Sequence, residues 1–248
     1  MITGYKTSEK IKDKDFKLFV QWLYLMKSSN NATFSTYENF IRNNLDFPRI
    51  GRLQYLAEQK IYLKNSSPKN IIRWFDDFPP VSGTGKLKLG EAYFDLKDIN
   101  NSKELIKEGW INADLSKSQL RFYRKKFKSI LDNEDHIKRA DYLAWNRKYW
   151  DLKRMLVYLP SDFKALYNAR QILMSNSYGV DNAIAKVPDR FKKDIGLEYD
   201  RLKWRNRRGR LESSLQILYD NSNRSEEELS LIHISEPTRL LSIGYSGV

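Results

Sequence analysis

The chain has 248 residues, long enough to bury a sizeable hydrophobic core in one or two domains. Its 44 lysines and arginines outnumber its 31 acids and give a net charge of +13, which favours a polyanionic partner without naming one. The lack of cysteine fits an exported protein without disulfides and a cytoplasmic protein equally. No run of 18 apolar residues could span a membrane, and residues 1–15 lack the apolar core of a signal peptide.

The first helix is predicted from apolar spacing over residues 13–27. Its apolar residues fall on one face at helical intervals, and this face is predicted to pack on the core. They are Phe16, Phe19, Val20, Leu23 and Met26. Trp22 falls beside the same face, where it is expected to serve packing rather than to bind a ligand.

Cap residues and prolines predict where the following helices begin and end. The predicted helix starts are Ser35 with Glu38, Pro48, Ser67 with Pro68, Ser116 with Gln119, Asn133 and Ser161. Ser116 and Gln119 are spaced as a capping box, in which each side chain binds the backbone N–H of the other residue. Pro79 and Pro80 are predicted to end the fourth helix, because the residue before a proline disfavours helical geometry.

Residues 74–110 predict a complete pair of amphipathic helices. Their two apolar stripes of helical period are Leu89, Ala92, Tyr93 and Leu96, then Leu105, Ile106 and Trp110. Neither helix could bury its stripe alone, so a series of such pairs is expected to stack. Trp74, Trp110 and Trp145 lie 36 and 35 residues apart, close to the roughly 34-residue period of tetratricopeptide-like helix pairs.

The last predicted helix pair covers residues 197–205 and 211–219 and is joined at Gly209. Nothing in residues 1–220 alternates between apolar and polar for long enough to form a sheet. The predicted fold class is therefore all-α. Its predicted architecture is a tetratricopeptide-like α-solenoid or superhelix of stacked antiparallel helix pairs, which forms one domain over residues 1–228.

The central stretch also carries motifs of a known family. They are Trp74-Phe75, Pro79-Pro80, Ser82-Gly83-Thr84-Gly85-Lys86 and Leu89-Gly90-Glu91-Ala92, with further agreement at Leu105-Ile106, Trp110, Glu134-Asp135-His136 and Val187-Pro188. In these motifs the chain resembles the soluble lytic murein transglycosylases in their alphaproteobacterial form, across residues 30–220. The resemblance implies the helical superhelix of that family, a scaffold that precedes the catalytic domain.

The resemblance also implies a function and a location. Members of the family are periplasmic and cleave peptidoglycan between N-acetylmuramic acid and N-acetylglucosamine, giving 1,6-anhydro products. The implied partners are peptidoglycan glycan strands and the protein's own C-terminal catalytic domain, which is not seen in these 248 residues. A free-standing tetratricopeptide-like protein-interaction module is the main alternative. An RNA-binding solenoid is a weaker one, and nucleic acid is not the expected partner.

No catalytic residue is predicted in this chain. The family's catalytic acid lies in a Glu-Ser motif followed by Gly-Leu-Met-Gln; Glu212-Ser213 matches the first part alone and sits in a helical pattern. Residues 82–86 lack the first glycine and the final Ser or Thr of a phosphate-binding loop, so Gly85 is expected to allow close packing instead. With two histidines and no cysteine, the chain is predicted to hold no metal. No cofactor is expected, and the resemblance implies that this chain is inert by itself because the family's catalytic domain is not seen in it.

Two basic clusters are the candidate binding surfaces. They are Arg121, Arg124, Lys125, Lys126 and Lys128, and Lys203, Arg205, Arg207, Arg208 and Arg210. Such a cluster is more often a solvated helix face. In the functional alternative, both clusters line the inner wall of a curved solenoid and hold anionic glycan strands, with Tyr123 or Trp204 stacking on sugar rings. The predicted substrate-binding residues are Arg124, Lys125, Trp204, Arg205, Arg207 and Arg208.

The tail differs from the rest of the chain. Residues 229–239, LSLIHISEPTR, match the translation of a transposase-type sequencing-library adapter. This match predicts that residues 229–248 are non-native, that the natural sequence stops near Glu228 or earlier in this chain, and that the tail takes no part in the fold. The alternative is a disordered natural tail.

Overall fold

A computed structural model of the chain describes residues 13–63, 66–175 and 178–220. All regular secondary structure in these ranges is helical, which confirms the all-α class. The described residues form two compact units, which divide between Asp135 and His136. The solenoid arrangement and the domain over residues 1–228 stay predictions, and the predicted non-native tail at 229–248 lies outside the described residues.

The helices follow one another with short connections. They are α1 Lys14–Leu25, α2 Phe34–Asn43, α3 Ile50–Lys60, α4 Pro68–Asp77, α5 Gly83–Asp95, α6 Ile99–Asn112, α7 Lys117–Lys126, α8 Asn133–Trp145, α9 Tyr149–Met155, α10 Ser161–Leu173, α11 Val180–Ala185, α12 Ile195–Arg207 and α13 Leu211–Asp220. Two single 3₁₀ turns, Leu156–Tyr158 and Asp189–Phe191, lie between them. In both units helices that are close in sequence pack together, most extensively α5 with α6.

Two of the predicted helix starts are confirmed. The Ser67 hydroxyl accepts a hydrogen bond from the N–H of Asn70, and Pro68 is the first residue of α4. At α7, Ser116 and Gln119 form the complete capping box, with side-chain contacts of 3.3 and 2.9 Å. Both sequences satisfy N–H groups that would otherwise have no partner at the helix end.

Two further predicted starts, at Ser35 and Asn133, are wrong by one or two residues. Thr33, not Ser35, caps α2, and its hydroxyl accepts from the N–H of Thr36. At α8, Asp132 and Asp135 bond each other's backbone N–H at 3.1 and 3.0 Å, so Asn133 is already helical. Short polar residues cluster at these ends, and local geometry selects which of them caps.

A second group of starts has no side-chain cap. Pro48 precedes α3 instead of lying in its first turn, and the helix begins after Arg49, which has a left-handed backbone with φ 58°. Ser161 is the first residue of α10 and follows Pro160. No side chain caps the first turn of α3 or α10, so we infer that packing against other helices stabilises these two helix starts.

The apolar face predicted for α1 is right only in part. Val20 is partly buried and Met26 packs against the core. Phe16, Phe19 and Leu23 are each about half exposed. Leu25 is fully buried, and Trp22 is partly buried with its Nε1 donating to the carbonyl of Pro48 at 2.9 Å. The side of the helix that faces the core therefore includes Trp22 and Leu25 beside Met26 and leaves much of the predicted face exposed.

The core of the first unit contains both tryptophans of the central stretch. Trp74 and Trp110 are fully buried. Close approach of α5 and α6 depends on Gly109, where an added Cβ would lie 2.5 Å from the backbone nitrogen of Leu87. Gly85 does allow close packing as predicted: a Cβ there would lie 2.4 Å from the carboxylate of Glu58, which is fully buried.

None of the helices within the described residues is long and apolar enough to cross a membrane.

Candidate functional site

The predicted binding residues of the first unit lie on the surface of α7. Arg124 and Lys125 are both exposed. Their neighbour Lys126 is different, because its Nζ donates to Glu91 Oε1 at 2.8 Å and to Asp95 Oδ2 at 2.9 Å. The basic run in the sequence is therefore a mixture of exposed cations and one that is neutralised within the fold.

In the second unit, two predicted residues contact their own chain. Arg207 Nη1 donates to the carbonyl of Met174 at 3.1 Å, and Nη2 donates to the carbonyl of Leu173 at 2.5 Å. These carbonyls lie at the C-terminal end of α10, where the helix dipole favours a cation. The Arg208 guanidinium lies over the Trp204 ring, 4.7 Å from its centroid.

The remaining two predicted residues, Trp204 and Arg205, line an open groove. This second-unit groove has a volume of about 330 Å³. It is lined by Leu173, Val180, Asp181, Ile184, Ala185, Lys192, Arg201, Trp204, Arg205 and Arg210. Helices α10, α11 and α12 each contribute to its walls, and α10 packs against both of the others.

The second-unit groove is strongly positive. Four of its lining side chains are cations, Lys192, Arg201, Arg205 and Arg210, against the single lining acid Asp181. Lys192 is paired with Asp189 at 2.6 Å, so the three arginines carry most of the excess. Burial, together with the charges of Arg201 and Arg210, lowers the pKa of Arg205. A guanidinium whose protonated form is disfavoured by its neighbours is stabilised by any anion that enters the groove.

Neither aromatic ring predicted to stack on sugars offers a free face. Tyr123 is almost fully buried and its hydroxyl is occupied by Glu91, so the stacking predicted for it is wrong. Trp204 is 8 % exposed, and the guanidinium groups of Arg208 and Arg210 lie over its ring. Trp204 therefore supports the arginines of the groove rather than presenting a face to a ligand.

A second pocket lies in the first unit. This Lys88 pocket has a volume of about 500 Å³. It is lined by Tyr62, Leu63, Lys88, Glu91, Ser116, Ser118, Gln119, Phe122 and Tyr123. The sequence did not predict this pocket. Lys86 and Lys88 are both lysines of the same GKLKLGEA motif, and nothing local shows that Lys88, and not Lys86, lines the pocket. The i, i+3 spacing of Lys88 and Glu91 was the available signal.

A network of charged groups forms the floor of the Lys88 pocket. Lys88 Nζ lies 3.6 Å from Glu91 Oε2, and both side chains are nearly buried. Glu91 also accepts from the hydroxyl of Tyr123 and from Lys126 Nζ, each at 2.8 Å. Burial lowers the pKa of Lys88, although the charge of Glu91 opposes that shift.

The described residues show no metal-binding cluster, and the Glu212-Ser213 pair is not placed as a catalytic acid. No group of three or more His, Cys, Asp or Glu side chains among them is placed to hold a metal ion. Glu212 lies exposed in the first turn of α13, and the hydroxyl of Ser213 donates to the carbonyl of Arg210. A general acid for glycoside cleavage is held where its proton is retained near neutral pH, and an exposed helix start does not do this.

Comparison of the chain with protein-family models, curated proteins and solved structures finds no match.

Proposed function

We propose that the protein is a non-catalytic helical scaffold that binds carboxylate-bearing glycan strands of peptidoglycan. In this proposal it is the scaffold part of a periplasmic lytic transglycosylase and presents the strands to that protein's own C-terminal catalytic domain. The observation that carries the proposal is the excess of cations in the second-unit groove. The resemblance of residues 30–220 supplies the identity of the polyanion.

The charges of the groove fit a carboxylated ligand. Arg201 has no ion pair within 4.0 Å among the described residues, and Arg210 contacts the face of Trp204. Guanidinium groups bind carboxylates in a two-pronged geometry, and several of them on one wall favour a ligand with repeated acids. The peptide stems of peptidoglycan carry such carboxylates.

The test is sedimentation of the full chain with insoluble peptidoglycan, using Arg201→Glu/Arg210→Glu. These two residues are preferable to Arg205 and Arg207, because the latter donate to backbone carbonyls and their loss would disturb the fold. Reversal of two groove charges is expected to weaken binding by about tenfold or more, as like charges then face the ligand. The matched control is Lys69→Glu/Lys164→Glu, two exposed lysines outside both pockets with the same change of net charge.

Each outcome decides the proposal. Weaker binding by the groove variant together with unchanged binding by the control supports it. Equal binding by both variants removes the groove from the proposal. Failure of the wild type to sediment with peptidoglycan, combined with salt-dependent binding of poly(U) RNA, replaces it with a nucleic-acid function.

A free-standing tetratricopeptide-like interaction module is the second candidate. The half-exposed apolar side chains of Phe16, Phe19 and Leu23 on α1 favour it, because such faces mark contacts between proteins. The genomic DNA beyond codon 228 separates the two candidates. A Glu-Ser motif followed by Gly-Leu-Met-Gln supports the transglycosylase, and a stop codon with neither motif supports the module.

A further inference from the structure

The Lys88 pocket combines a nearly buried cation with exposed aromatic rings. Lys88 is 5 % exposed, whereas Tyr62 and Phe122 at the pocket walls are 49 % and 52 % exposed. Pockets that bind small molecules typically join apolar walls to a few placed polar groups. The Lys88 pocket therefore has the composition of a small-molecule site, with Lys88 as its placed cation.

Lys88 makes few close contacts with its own chain and faces the open side of the pocket. Its Nζ lies 3.6 Å from Glu91 Oε2, beyond hydrogen-bond distance, and 5.2 Å from the centre of the Tyr123 ring. An ammonium has three N–H donors, and a buried charge is costly unless it is paired and hydrogen-bonded. Lys88 is thus able to take a further acceptor that enters from the open side of the pocket.

Glu91 is shared among three donors, and Lys88 is the most distant of them. Tyr123 donates to its Oε2, and Lys126 donates to its Oε1, each at 2.8 Å. Both carboxylate oxygens therefore already receive a shorter contact than the one from Lys88. The acid balances two lysines at once, and a ligand carboxylate would complete the pairing of Lys88.

The walls of the pocket fit a ring that carries hydroxyl groups. Tyr62 and Phe122 provide apolar ring surface, and Ser118 and Gln119 from the first turn of α7 provide hydrogen-bonding groups beside it. The positive end of the α7 dipole adds to the preference for an anion. The side chains of Ser116 and Gln119 are held in place by the capping box.

From this geometry we infer that the Lys88 pocket binds a carboxylated sugar. The carboxylate pairs with the Lys88 ammonium, and the sugar ring lies against Tyr62 and Phe122. The site is separate from the second-unit groove, and the inference goes beyond the proposed function because it stands even if that groove binds nothing. The shared chemistry is a sugar carboxylate, whose source is either a uronic acid or a sugar with an ether-linked lactyl group.

The test is a titration of the ¹⁵N-labelled full chain with two matched ligand pairs, followed by amide chemical shifts. The pairs are glucuronate with glucose and N-acetylmuramate with N-acetylglucosamine, and the members of each pair differ in carrying the carboxylate. The acid is expected to shift the amides of Ser118 and Gln119 and to bind at least tenfold more tightly than its neutral partner. The pair with the tighter acid identifies the source.

Variants locate the contacts. Lys88→Met is expected to reduce the affinity for the acid to that of the neutral sugar, whereas Lys128→Met, at an exposed lysine outside the pocket, leaves it unchanged. Phe122→Ala, at an exposed position that tolerates truncation, is expected to weaken acid and neutral sugar about equally.

Three results overturn the inference. They are equal binding of acid and neutral sugar, unchanged binding by Lys88→Met, and binding of acetate as tight as that of the sugar acids. Sedimentation with peptidoglycan through Arg201 and Arg210 is unaffected by any of them, so failure here and failure of the proposed function are distinguishable.

Discussion

The buried ion networks of the two units are built from different cations. In the second unit Arg170 is the centre, with 1 % of its side chain exposed. Its Nε donates to Asp200 and its Nη1 donates to Asp141, both at 2.9 Å, and its guanidinium also lies over the Trp145 ring. In the first unit Lys88 lies 3.6 Å from Glu91 and faces an open pocket.

The difference shows how each cation is used. The planar guanidinium of Arg170 directs its donors to two acids on α8 and α12, and so ties three helices together. The ammonium of Lys88 is a point charge on a flexible stem, and Glu91 is shared with Lys126. We therefore expect the arginine network to determine stability and the lysine network to determine binding.

Loss of Asp200 is the largest expected effect. Asp200→Ala leaves the buried guanidinium of Arg170 with Asp141 as its carboxylate partner, which is expected to lower the free energy of unfolding by about 3–5 kcal/mol. Urea denaturation measures this loss. Asp162→Ala breaks the exposed pair with Arg190 and is expected to cost less than about 1 kcal/mol. Similar losses for both variants would contradict a structural role for the buried network.

The arginine network also requires a glycine. A Cβ at Gly196 would lie 2.3 Å from Cζ of Arg170, and the two acids prevent the guanidinium from moving aside. Gly196→Ala is therefore expected to destabilise the protein by about 1–3 kcal/mol. Gly51→Ala, in α3 with nothing within 4 Å, is expected to stabilise it by about 0.5 kcal/mol. Thermal denaturation of both variants shows whether the signs are opposite.

The lysine network is expected to respond much less. Lys88→Met keeps the length of the side chain and removes a buried charge, while Glu91 retains Tyr123 and Lys126. The free energy of unfolding should change by less than about 1 kcal/mol in either direction. Urea denaturation gives this value in the absence of ligand. A loss as large as that of Asp200→Ala would mean that Lys88 is structural and would remove the contrast between the units.

The sequence predicted the helical class because apolar spacing is a local property. The paired helices α5 and α6 follow from the stripes at Leu89 and Leu105, and the capping box at Ser116 follows from a three-residue spacing. The packed side of α1 was predicted only in part, because Met26 and Trp22 face the core whereas Phe16, Phe19 and Leu23 do not. Trp22 contacts the carbonyl of Pro48, which lies outside α1, and spacing within the helix does not show this contact.

The candidate site was predicted in part. Trp204 and Arg205 do line the second-unit groove, whereas Arg201 and Lys192 reach it from positions that no local pattern connects to them. Nothing in the sequence distinguishes Arg207 from the neighbouring arginines. Its guanidinium nevertheless binds carbonyls at the C-terminal end of α10. Most of the residues around Lys88 in the pocket come from α7 and the residue before it, which are distant in sequence. Residue spacing within α5 alone therefore could not predict the pocket.

The exposed pair between Lys107 and Asp132 extends the comparison to acid pH and has the smallest expected effect. The Lys107 ammonium at 2.8 Å, helped by the backbone N–H of Asp135, lowers the pKa of Asp132 from 3.8 to about 2. A carboxylate with a lowered pKa stabilises the fold above its unfolded pKa, and this contribution disappears as pH falls from about 4 to about 2. Because Asp132 is exposed, screening by solvent limits the loss to less than about 1 kcal/mol.

Asp132→Asn keeps an oxygen that can accept from the N–H of Asp135 and removes the charge. The variant is therefore expected to lose less stability than the wild type between pH 4 and pH 2 and to differ little from it near pH 7, as measured by urea denaturation at each pH. Equal pH slopes for the two proteins would show that acid sensitivity arises from other carboxylates. A steeper slope for the variant would show that the charge of Asp132 does not stabilise the fold.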